Sequence, residues 1–122
     1  MKNRLWAIAL FIASAGIALA HHGNAAFESS KTVAVKGTVT EFAFLNPHCQ
    51  VYFEVKNDKG EIEKWQGELT APAKLQRAGW TKRSLKPGDA VSIEGNPAKN
   101  GAHTLWIRKL VGPAGEMQLS ED

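Results

Sequence analysis

His21 and His22 are the first residues in the chain whose type and placing suggest chemistry. They follow directly on Ala18-Leu19-Ala20, a small-x-small pattern of the kind that marks signal cleavage. Cleavage after Ala20 would leave His21 with a free α-amine beside its imidazole. The reference pKa of that amine is about 7.7–8.0, so part of it is neutral near pH 7 and can donate to a metal. Amine and ring nitrogen from one residue can chelate copper(II), and one further imidazole completes a three-nitrogen brace. Tetragonal nitrogen sites suit copper(II) above other divalent ions. Cleavage one residue earlier would give Ala20-His21-His22, with histidine third, a different copper(II) motif that uses backbone amides. Without a metal, the pair is simply tolerated beside a cleavage site.

His48 is the best third ligand. It follows Pro47 at a break between two strand-like runs, a rim position from which a side chain can reach an arm. Asn46 can hold the same turn by local hydrogen bonding. The competing reading of His48 is a turn histidine that caps a backbone carbonyl. His103 opens the last strand-like run, next to a Gly/Pro/Asn loop, and is the fourth metal candidate. A strand-end histidine with no ligand is its bland alternative. Cys49 could add a soft thiolate, but its parity matches Val51 and points it into the core. One cysteine forms no internal disulfide, no Cys-x-x-Cys pair and no haem attachment.

Other chemistry has weak support. Glu68 and Arg77 read as a structural salt bridge, and no second carboxylate pairs with Glu68 for acid/base work. Ser29, Ser30 and Ser84 have no evident His/Asp partners. No phosphate-binding Gly-x-x-x-x-Gly-Lys loop and no Gly-x-Ser-x-Gly elbow occurs. The expectation is a protein without catalytic machinery; a copper oxidase of the histidine-brace type is a distant third. The second hypothesis is an interaction module. Tyr52, Trp65 and Trp106, with Arg108 beside the last, could form an outer face that stacks on an envelope protein or a glycan. The histidines would then be incidental.

The elements that must position these residues follow from pattern. Thr32 to Leu45 reads as one long strand whose inward parity switches near Thr40–Glu41, the mark of a bulge. Gly37 allows it to coil. Gln50 to Val55 alternates with Val51, Phe53 and Val55 inward. Asn57-Asp58-Lys59-Gly60 is a hairpin turn into a third strand, Glu61 to Leu69. Thr70 caps a short helix with Pro72 in its first turn and Gly79 as its stop. Trp80 reads as a plug on the barrel end. Ala90–Glu94 and His103–Val111 are strands four and five. The order β-β-β-α-β-β suits a mostly β, five-stranded oligonucleotide/oligosaccharide-binding (OB) barrel with one short helix between strands three and four. A split sandwich or another small barrel is the alternative.

The chain has 122 residues, one domain's worth, with 43% hydrophobic and 22% charged residues, an ordinary globular composition. Residues 1–20 read as a signal peptide: Lys2 and Arg4 precede an uncharged apolar run from Leu5 to Ala20, somewhat short for a spanning helix. Residues 21–30 read as an extended arm, 31–112 as the barrel and 113–122 as a loosely ordered tail. Periplasmic or secreted localisation follows, with no stable membrane insertion after cleavage. Removing Lys2 and Arg4 takes Lys plus Arg from 15 to 13 against 12 acidic residues, a net +1. So weak a charge offers no funnel for nucleic acid.

His21-His22, Asn46-Pro47-His48, Trp65 with Glu68, Arg77-Ala78-Gly79-Trp80 and Ser84-Leu85-Lys86-Pro87-Gly88-Asp89 together resemble a group of small exported bacterial proteins classed as a domain of unknown function. The resemblance covers nearly the whole mature chain. It implies export and a small β-rich domain and carries no established activity. Cys49 departs from the group, whose members usually look Ala-like there, so the resemblance supports no general thiol role.

Overall fold

Alternating apolar and polar residues dictate the first hairpin. In β1 (Val33–Ala43) and β2 (Gln50–Lys56), Val39, Val51, Phe53 and Val55 all face inward and are buried. The strands pair antiparallel, and their register slips between Val39 and Glu41, where the change of parity requires a bulge. Gly37 sits where β1 crosses close to β2: a Cβ there would overlap the Glu54 carbonyl oxygen. A residue without a side chain is therefore a steric requirement at that point. The computed structural model describes residues 24–120, so the expected signal peptide (residues 1–20), His21 and His22 lie outside the described residues.

Asn57 makes the next turn. Its side-chain oxygen accepts the Lys59 and Glu61 backbone N–H groups, each at 3.0 Å. β3 (Ile62–Glu68) then pairs with β2 along its full length. The helix α1 (Pro72–Arg77) follows, with Pro72 at its first position and Leu75 buried beneath it. Its N-cap is Ala71 and makes no side-chain cap bond, which corrects the expectation for Thr70. Proline, which lacks an N–H, removes one of the donors that such a cap would satisfy. β4 (Ala90–Pro97) runs past Glu94 through a second bulge at Glu94/Gly95, further than the alternation indicates. β5 (Thr104–Gly112) completes the main sheet.

The strand order is β3-β2-β1-β4-β5, and a parallel β3–β5 pairing closes the sheet on itself. A closed sheet with the helix between β3 and β4 is the OB arrangement, and it excludes the split sandwich. The core is one cluster inside this barrel, built on Phe53, Leu69, Leu75, Leu85, Ile93, Leu105 and Leu110. Full burial of each such side chain contributes about 1.5–3 kcal/mol. Trp80 plugs one end and donates its indole N–H to the Gln118 carbonyl at 2.6 Å.

Both chain ends differ from expectation. A short sixth strand, β6 (Gly115–Met117), pairs with β5 where a loose tail was expected, and Met117 and Leu119 pack against the core. Their apolar side chains, spaced by two, give the tail an inner face. At the other end, the arm makes one 3-10 turn at Asn24–Ala26 and then bridges Phe27 to Ala98. No helix among the described residues is long and apolar enough to cross a membrane.

Candidate functional site

OB folds take their ligands on the β2–β3 face and with the β1–β2 and β4–β5 loops. The β1–β2 loop carries Asn46, Pro47 and His48, with a cis Asn46–Pro47 bond. The β2–β3 register sets Gln50 opposite Glu68, and the β3–β5 register sets Glu68 beside Trp106. His48 thus meets both. Its Nδ1 donates to Glu68 Oε1 at 2.6 Å, and its ring stands edge-on to Trp106 at 5.5 Å between centroids. The side chains of His48 and Glu68 are 29% and 17% exposed. A carboxylate only accepts, so in the neutral ring Nδ1 holds the proton and Nε2 is the basic nitrogen.

Phe27 also packs against Trp106, with ring centroids 6.1 Å apart. It is buried yet stands outside the barrel core. The arm that carries it is fastened at several points. Glu28 N–H donates to the Pro97 carbonyl at 2.8 Å, and Lys99 N–H donates to the Ala26 carbonyl at 3.0 Å. Asn96, a buried polar residue, donates to the Lys31 carbonyl at 2.7 Å and accepts from Arg108 Nε at 2.7 Å.

A second cluster lies at the start of β5. The His103 ring stacks nearly parallel on Trp65, 4.8 Å apart at 6°. Glu63 Oε1 accepts the Trp65 indole N–H at 3.1 Å, and Glu63 Oε2 lies 3.9 Å from His103 Nε2. The hydrogen bonds from Trp65 and then Asn57, with the nearby His103, hold the Glu63 carboxyl below its ordinary range.

Several expectations change here. His48 and His103 have separate partners, so the structure does not join them in one set. Among the described residues, no group of three or more His, Cys, Asp or Glu is arranged to hold a metal ion. Glu68 faces His48, because the hairpin register carries it to the loop end of β3. Trp65 shares the inward face with Phe53, its cross-strand partner, and stacks on it; it does not stand on an outer face. Tyr52 and Trp106 do lie on the outer face, both half-buried. Arg108 is engaged by Asn96. Cys49 is buried, as its parity indicates, and burial pushes its thiol up. Phe27 and Asn96 were missed by the sequence reading, since neither an isolated Phe in a polar arm nor an Asn before Pro signals a docking contact.

Residues 9–106 match a family model whose description is Family of unknown function (DUF6152). The chain belongs to that family. No curated protein matches this DUF6152 chain in sequence. Among solved structures, it is similar to a tRNA fluorescent labeling enzyme at 22% identity and a TM-score of 0.44, over 69% of this chain and 18% of that one. It thus spans less than a fifth of that enzyme. It is also similar to the N-terminal domain of PriB from Thermoanaerobacter tencongensis, at 20% identity and 0.45, over 68% and 96%. A small single-stranded DNA-binding protein from Streptomyces coelicolor gives 13% and 0.42, over 66% and 88%. At such identities these likenesses concern the fold alone.

Proposed function

We propose that this DUF6152 protein is exported, non-catalytic, and binds one copper ion for buffering or carriage in the periplasm or outside the cell. His21, freed at the mature amino terminus, and His48 supply the nitrogens, with His22 as the alternative ligand from the arm. The observation that carries the reading is the His48–Glu68 pair. Metal-ligating histidines almost always donate their other ring N–H to a carboxylate, carbonyl or water, which fixes the tautomer and the ring direction. His48 has that arrangement, with Nδ1 on Glu68 and the side chain 29% exposed.

Reach also supports it. The Phe27, Trp106 and His48 rings are successive neighbours at 6.1 and 5.5 Å, so Phe27 and His48 lie no more than about 12 Å apart. Phe27 follows His21 by six positions, a span of at most about 22 Å when extended. His103 is committed to Trp65 and Glu63 and is left out of the set. The interaction-face alternative has less support, because Phe27 and His48 already cover Trp106 and Asn96 holds Arg108.

The test is intact mass of the protein purified from the periplasm, native and denatured, with and without copper. The expected result is a chain starting at His21 that retains one copper in the native spectrum only. Cleavage after Ala20 with no copper retained at micromolar metal would overturn the reading.

A further inference from the structure

We infer that a groove along the second half of β1 docks an extended acidic segment of a partner protein, which adds to β1 as a strand. β1 changes partners along its length. It pairs with β4 from Val33 to Thr38, and the Val39 backbone then bonds to Asp89 and Gly88. From Glu41 to Ala43 its ladder runs with β2 alone. Among the described residues, no backbone hydrogen bond joins this second half to the 82–87 loop that shares the groove with it. Two residues past β1, Leu45 is a large hydrophobic left 65% exposed. An open strand edge is where an extended peptide adds: main-chain bonds give affinity, and side-chain pockets give specificity.

Phe42, Leu85 and Pro87 give the groove apolar surface, Lys82, Arg83 and Lys86 give it positive charge, and its volume is about 400 Å³. The loop wall is fixed before any ligand arrives. Leu85 is buried in the core, Thr81 N–H donates to Ser84 Oγ at 2.8 Å, and Lys86 N–H donates to Asp89 Oδ2 at 3.0 Å. A preformed wall spares a ligand the cost of ordering it. Lys86 Nζ is paired with Asp89 Oδ1 at 3.2 Å, whereas the Lys82 and Arg83 side chains have no carboxylate partner among the described residues. Lysines on an edge strand often guard it against unwanted pairing. Here the cations stand on the loop, and the charged residue that β1 itself places in the groove is Glu41. Walls of unlike sign fix the occupant: its carboxylates lie toward Lys82 and Arg83, and its apolar side chains lie on Phe42 and Leu85.

The probe is a blocked synthetic peptide of alternating Glu and Val, titrated into the isotope-labelled protein and followed by NMR, with the Lys/Val counterpart as control. The expected result is binding of the acidic peptide alone, weakened by salt, with amide shifts confined to residues 40–44 and the 82–87 loop. In the Lys82→Glu/Arg83→Glu protein, altered at two exposed positions, affinity should fall about tenfold, since each attraction becomes a repulsion of similar size. Urea unfolding checks that this variant is as stable as the wild type. No binding of the acidic peptide, equal binding of both peptides, or shifts outside the groove would overturn the inference, and these comparisons need only the wild-type protein. Wild-type affinity in the folded double variant would overturn it too. Phosphatidylglycerol vesicles are a third arm: groove shifts with vesicles and none with the acidic peptide would assign the groove to a membrane surface instead. A concentration-dependent dimer in sedimentation, abolished by the double variant, would assign it to a second copy of this chain.

Discussion

Replacing Glu68 tests whether the carboxylate serves the histidine or only the fold. Glu68 accepts the His48 Nδ1–H at 2.6 Å, and the His48 and Glu68 side chains are 29% and 17% exposed. Loss of such an outer partner typically costs 10–100-fold in metal affinity. Glu68→Gln keeps an acceptor oxygen but removes the charge, and its amide can also donate, so the tautomer is no longer fixed. The expected loss is at the low end, about tenfold, or about 1.4 kcal/mol. Glu68→Ala leaves the ring free to turn and its N–H without a partner. The expected loss there approaches a hundredfold, about 2.7 kcal/mol. The apo protein should lose only about 1 kcal/mol, since a charge-assisted bond contributes about 1.5–3 kcal/mol and partial exposure reduces it. Chelator competition gives the affinities and urea unfolding gives the stabilities. Wild-type affinity in both variants, with stability reduced, would refute the argument and leave the pair a structural bond.

Further outcomes follow from the same structure. Gly95→Ala drives a Cβ into the Trp106 carbonyl oxygen at the second bulge, so urea unfolding should show a loss of about 1–3 kcal/mol or more; a neutral result would contradict the close approach. Phe53→Ala empties the centre of the barrel and should cost about 3–5 kcal/mol, a large share of a small domain's stability. Cys49 should resist alkylation in the folded protein and react fully in denaturant, which mass spectrometry reads directly. The Glu63 carboxyl, held low mainly by the Trp65 indole N–H, favours the folded state above the ordinary carboxylate range. That contribution is lost as pH falls through the lowered value. In Trp65→Phe the Glu63 NMR titration midpoint should rise toward the ordinary range; an unchanged midpoint would show that the indole bond is not the cause.

The barrel was legible because its signals are local. The parity switch at Thr40–Glu41 is the register slip seen between Val39 and Glu41, and Val51, Phe53 and Val55 are buried as their alternation indicates. The tail was misread because Met117 and Leu119 gain an inner face only by pairing beside β5, a contact that its Gly- and Pro-containing start conceals. In the candidate site, His48 was found from its place at the Asn46-Pro47 break. Its partner was recoverable, since counting the hairpin back from the Lys56–Ile62 pair sets Glu68 opposite Gln50. Trp65 was turned outward because polar neighbours on β3 masked its inward parity. Phe27 and Asn96 act through tertiary contacts between residues distant in sequence, and no periodicity encodes those.

The central claim is that His48 Nε2 and the mature amino terminus bind the same copper ion. Pulsed EPR of the copper(II) form, on protein beginning at His21, tests it most directly against His48→Ala. The account predicts two imidazoles at the wild-type copper and one in the variant, with weaker binding. Identical spectra and equal affinity would contradict it, leaving the amino-terminal histidines to act without the barrel.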